Sequence, residues 1–154
     1  MVAKVLPNMS KYKDIISALP YGPDFCFVDR LSDITVDGVT GYYSFPEKAD
    51  YYDSHFPDHP VTPGVLLTEC MAQIGLVCLG IFLAKAEGQT EARPFVFTES
   101  QVHYLQQVRP GEQVKVVSEK VYYRLGKLKC KVTMYNTGGE RICYGTMAGM
   151  TLKP

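Results

Sequence analysis

Three residues in one short stretch could do acid–base chemistry together: a histidine, a glycine and a glutamate. The stretch is His55 to Ala84, HFPDHPVTPGVLLTECMAQIGLVCLGIFLA. His55 carries an imidazole, the side-chain type best suited to act as a general base at neutral pH. Glu69 sits about one turn into an apolar run, where desolvation would raise its pKa and favour a general acid. Between them, Pro63-Gly64 marks the start of a helix. The first N–H groups of a helix have no internal partner, and its positive dipole end can hold developing negative charge. Gly64 has no side chain to bar a substrate from those amides. A base, an acid and an oxyanion donor are the parts needed to remove a proton beside a carbonyl and expel a β-hydroxyl.

Pro57, Pro60 and Pro63 make residues 55–64 a shaped loop rather than a helix. Residues 65–84 are apolar except at Thr68, Glu69 and Gln73, and read as one long buried helix stopping near Glu87-Gly88. Before it, Ser10 is a candidate N-cap for a helix over 11–19, residues 25–30 and 39–45 read as strands around an Asp37-Gly38 turn, and 46–54 reads as loop. After it come strands over 94–107, 114–125, 127–135 and 141–152, with a bulge expected at Val116-Val117. A curved antiparallel sheet wrapped round the helix is the economical way to cover it, giving an α+β fold in a single domain spanning 1–154.

Composition narrows the classes. The chain has 154 residues and a formal net charge of zero, which removes any electrostatic case for nucleic acid or an anionic membrane. The N-terminus lacks an apolar run of signal-peptide length, so a cytoplasmic protein is expected. Residues 65–84 are long enough to span a bilayer, but Glu69 and Gln73 on one face would be costly there, and the amphipathic strands need a soluble core. None of the five cysteines falls in a C-x-x-C pair, and each sits among apolar residues as an expected buried free thiol.

His55-Phe56-Pro57-x-x-Pro60-x-x-Pro63-Gly64-Val65-Leu66, followed by Glu69-x-x-Ala72-Gln73, resembles the signature of the hot-dog-fold 3-hydroxyacyl-[acyl-carrier-protein] dehydratases of the FabZ type. Leu19-Pro20, Phe25-x-x-Val28-Asp29-Arg30 and Val108-Arg109-Pro110-Gly111-Glu112 extend the likeness over residues 15–152. The resemblance implies a hot dog fold and a homodimer, in some relatives a trimer of dimers. His55 of one subunit would face Glu69 of the other. His55 would take the α-proton, Glu69 would work on the 3-hydroxyl, and the Gly64 N–H would bind the thioester oxygen. Phe56, Pro63, Val65 and Gln73 are the expected substrate-binding residues, Gln73 also making a polar contact within the helix cluster or across the dimer. No metal or nucleotide is implied. The substrate would arrive on the phosphopantetheine of acyl carrier protein, its acyl chain in an apolar tunnel. Asp58, Thr62 and the stretch Tyr21-Gly22-Pro23-Asp24 depart from the family pattern. They leave open whether the substrate belongs to fatty acid synthesis or to a dedicated polyene or polyketide pathway.

Bland readings remain for the other candidates. His59 reads as structural or surface, His103 as ordinary packing, and Cys70 as a thiol without a partner base. Lys127, Lys129 and Lys131 read as a solvated strand face, or as a patch for an acidic carrier protein. Two rivals to the dehydratase stand: a hot-dog thioesterase using Glu69 to activate water, and a non-catalytic acyl-binding partner.

Overall fold

The computed structural model describes residues 12–91 and 93–152. The expected cap Ser10 lies outside them. A short helix α1 (Lys13–Ser17) leads to a single 3-10 turn (Pro23–Phe25), then β1 (Arg30–Thr35) and β2 (Gly38–Ser44). Helix α2 (Asp50–Ser54) precedes the proline loop, and the long helix runs Gly64–Ala86. The chain closes with β3 (Phe95–Tyr104), β4 (Gln113–Arg124), β5 (Lys127–Tyr135) and β6 (Arg141–Thr151). All six strands form one antiparallel sheet in the order β1-β2-β4-β5-β6-β3, curved round the helix as the hot-dog expectation requires.

The long helix meets the length and hydropathy of a membrane span, yet 67% of that window is buried inside the fold. The sheet is what buries it. Leu128, Cys130, Val132 and Met134 of β5 all point inward with almost no exposure, while the lysines between them point outward. Helix and sheet touch closely at Gly75, where a Cβ would lie 3.1 Å from Val132. Around this contact, residues Gln73–Cys78 widen into a π-helical turn. The Gly75 carbonyl accepts a hydrogen bond of 2.9 Å from the buried Ser118 hydroxyl on β4. At the far end Gly88 adopts φ +86, the left-handed cap expected there, and its N–H donates to the Lys85 carbonyl.

Several local expectations are corrected. The first strand starts at Arg30, not Phe25: Phe27 and Val28 are both buried, and the Phe27 N–H bonds a helix side chain instead of a neighbouring strand. Residues 50–54 form α2 rather than loop, a segment too short for periodicity to betray. The β4 bulge lies at Val121, between Lys120 and Tyr122, not at Val116-Val117. Inward alternation continues through Val114, Val116 and Ser118, and the buried serine had mimicked a change of phase. The third strand ends at Tyr104. Its mixed pattern follows from its place at the sheet edge, exposed over most of its length. Four cysteines are buried free thiols, with burial pushing Cys130 up to about 11 and Cys143 to about 12, but Cys26 is only half-buried.

Candidate active site

His55 is delivered by α2. Its N–H donates to the Tyr51 carbonyl at the end of that helix, and its carbonyl accepts from the Val61 N–H. The loop between is tied by reciprocal bonds, Phe56 N–H to His59 carbonyl and His59 N–H to Phe56 carbonyl. His59 is exposed, and it is this backbone turn that it supplies. The His55 imidazole stacks on Phe56, with ring centroids 4.1 Å apart, and its Nδ1 lies 2.8 Å from the Val61 carbonyl oxygen. A carbonyl only accepts, so Nδ1 carries the proton and Nε2 of the neutral ring is left as a bare lone pair. That is the form a general base needs.

Thr62, one of the departures from the family pattern, is buried. Its hydroxyl pairs with the Tyr52 hydroxyl at 2.7 Å, and its N–H donates to the Val108 carbonyl. The loop is thus fastened to both α2 and the segment before β4. It then enters the long helix through Pro63, which supplies no capping side chain, and the first helical turn holds no acidic residue. The positive helix end is uncompensated by the protein itself. The space beside Gly64 is not empty, however. A Cβ there would lie 3.2 Å from the Tyr104 ring, whose hydroxyl is hydrogen-bonded to Thr68 Oγ1.

Glu69 lies about 7.5 Å further along the helix axis. Gln73, one turn on, is 0% exposed, and it makes the polar contact within the helix cluster that was expected of it. It is a clamp. Its Nε2 donates to Glu69 Oε1 at 3.0 Å and to the Phe25 carbonyl at 3.0 Å, and its Oε1 accepts from the Phe27 N–H at 2.7 Å. The amide therefore fixes one carboxylate oxygen and pins residues 25–27 against the helix. Replacement by leucine is expected to strand the buried Phe27 N–H and release both partners, lowering stability by about 2–4 kcal/mol. A denaturation midpoint that falls at unchanged m-value is the check; an unchanged midpoint would mean that the clamp contributes nothing.

Glu69 lines an open groove of about 240 Å³ with Tyr21, Ala72, Leu76 and the first residues of β3. Tyr21 belongs to the other departure from the family pattern, and its nearness to Glu69 was not legible in the sequence. Its phenol is pushed up, first by burial and then by the Glu69 charge, so it stays protonated beside the carboxyl group. His55 does not line this groove, and no hydrogen bond joins the two among the described residues. Phe56 and Val65 stand 53% and 75% exposed, with Pro63 half-buried between them. His103 stacks on Tyr144, and Lys129 pairs with Glu99 at 3.1 Å, so neither belongs to the site.

Residues 19–145 match the family model of the FabA-like domain. The chain belongs to the FabA-like family. Among its FabZ-type members, the 3-hydroxyacyl-[acyl-carrier-protein] dehydratase FabZ of Clostridium perfringens is 33% identical over 138 residues, covering 90% of this chain and 94% of the relative. FabZ of Bacillus licheniformis is 31% identical over 134 residues, covering 85% of this chain and 88% of that one. The dehydratase heterocomplex ApeI:P from Xenorhabdus doucetiae superposes with a TM-score of 0.74 at 10% identity, covering 90% of this chain and 91% of that chain. A hypothetical thioesterase with coenzyme A from Streptococcus pneumoniae gives 0.60 at 16% identity, covering 94% and 96%. Both structural likenesses establish the hot-dog fold, and the FabZ-type relatives establish the chain as one of the family's enzymes.

Proposed function

We propose that this FabZ-type protein removes water from 3-hydroxyacyl thioesters held on acyl carrier protein, giving trans-2-enoyl thioesters. The observation that carries the reading is the His55 ring, locked through Nδ1 so that Nε2 is the free base. In the reaction, Nε2 takes the α-proton of the substrate. The negative charge that develops on the thioester oxygen meets the Gly64 N–H at the positive helix end, beside the Tyr104 ring. Glu69, steadied by Gln73, gives a proton to the 3-hydroxyl, directly or through a water, and the hydroxyl leaves as water. The acyl group comes on phosphopantetheine, and the chemistry asks for no metal or nucleotide.

The site is shared between two copies of the chain. Within one protomer His55 does not line the Glu69 groove, which supports a site completed by a second copy. The surface for this is an unpaired sheet edge, β3, with Val96, Phe97 and Tyr104 exposed along it and Phe56 and Val65 exposed at the site. We place the enzyme in the cytoplasm, in fatty acid synthesis or in a related polyene or polyketide assembly.

The test supplies a 3-hydroxyacyl carrier-protein thioester and follows enoyl absorbance and free thiol. Enoyl product without thiol is expected. Release of thiol would identify a thioesterase, and neither product would leave a binding protein.

A further inference from the structure

One residue stands between the anchor of the base and the start of the helix. Val61 supplies the carbonyl that holds His55 Nδ1 at 2.8 Å, and Pro63 leads into the helix at Gly64. Thr62 lies between them. The Val61 carbonyl and the Thr62 N–H belong to a single peptide unit, which is planar, so the two groups turn together. That N–H donates to the Val108 carbonyl at 2.8 Å. The Thr62 hydroxyl pairs with the Tyr52 hydroxyl at 2.7 Å. Tyr52 stands on α2, three residues before His55, and the Tyr51 carbonyl beside it accepts the His55 N–H. The bonds therefore close a ring: α2 to His55, His55 to the Val61–Thr62 peptide, and the Thr62 side chain back to α2. Thr62 and Tyr52 are 2% and 4% exposed. Replacing both partners of a buried hydrogen bond by apolar groups of the same shape is close to neutral for stability, so what the pair orients explains it better than what it stabilises.

We infer that Thr62 is a positioning residue of the reaction. With Tyr52 it fixes the Val61–Thr62 peptide, and through that peptide the tautomer of His55 and the place of its ring relative to the Gly64 N–H. The inference rests on the dehydratase reading above. Without the hydroxyl bond the peptide loses its side-chain tie to α2. A tilted Val61 carbonyl releases Nδ1 and admits the Nε2–H tautomer, which presents no lone pair at Nε2. Pro63 is rigid at φ, so a turn of Thr62 also carries to the Gly64 N–H.

Two readouts test this, one of them independent of turnover. Nitrogen NMR of protein labelled in its histidine rings, on the alkaline side of the imidazole titration, separates the Nδ1–H from the Nε2–H form. The His55 signals are those lost in His55→Ala. Wild type is expected to show the Nδ1–H form alone. Thr62→Val and Tyr52→Phe should each admit an Nε2–H fraction and lower kcat about tenfold or more with KM within about twofold, as misplacement of a reacting group does. The double variant leaves neither hydroxyl unpaired in the interior, and it should lose no more than either single variant because the two residues act through one bond. Thr62→Ser keeps that bond and should restore both tautomer and kcat. An unchanged tautomer or an unchanged kcat in the double variant overturns the inference, as do losses that multiply. A tautomer that shifts in a protein that dehydrates no 3-hydroxyacyl thioester supports the hold on His55 and sinks the proposed reaction instead.

Discussion

Replacing His55 by alanine is expected to lower kcat/KM for a 3-hydroxyacyl carrier-protein thioester by about 10²–10⁴-fold, the usual contribution of a positioned general base. The reason lies in the proton inventory of the ring. Nδ1 is committed to the Val61 carbonyl, so Nε2 is the lone pair the His55 ring offers. The other two histidines have different places: His59 gives its backbone groups to the loop turn and is exposed, and His103 stacks on Tyr144 of the sheet. The fold should survive, because the half-buried ring gives up one hydrogen bond, at a cost of about 1 kcal/mol. The loop keeps its backbone ties from His55 to Tyr51 and Val61 and from Thr62 to Val108. Steady-state kinetics beside a thermal melt decide the matter. Full activity in a folded His55→Ala protein removes the base from the mechanism.

Glu69→Gln is expected to cost a similar 10²–10⁴-fold, since the amide keeps the shape of the carboxyl group but cannot deliver its proton. The hydrogen bond from Gln73 can persist with the carbonyl oxygen of the introduced amide as acceptor, so geometry is preserved and the loss reports chemistry. The pair of inactive variants also tests the shared site. If His55 of one subunit works with Glu69 of the other, random mixing of the two gives half heterodimers, each with one intact site of two. About a quarter of wild-type activity should then return. Mixtures that stay as dead as their components, with subunit exchange verified by mass spectrometry, would place both groups within one chain or remove one of them from the reaction.

The legible part of this protein is the part written in local rules. Proline fixes φ wherever it stands, so the shaped loop over 55–64 could be read directly. Sustained apolarity identified the long helix, and strict alternation identified β5 to the residue. Hairpin and cap signals placed the Asp37-Gly38 turn and the helix end at Gly88. The spacing of His55, Gly64 and Glu69 carried the family, which the comparisons then showed.

What the tertiary structure alone decided are the contacts made across the chain. The polar contact of Gln73 within the helix cluster was legible, but its clamp on residues 25–27, nearly fifty positions away, was not. Ser118 broke the pattern of β4 because its partner, the Gly75 carbonyl, is on the helix. Tyr104 covers Gly64, Tyr21 stands by Glu69, and Phe95 fills the space two distant glycines leave. Sequence encodes such pairs only as single residues with no stated partner. Periodicity reports which face of an element is apolar, whereas the identity of what packs against that face is set when the sheet closes round the helix.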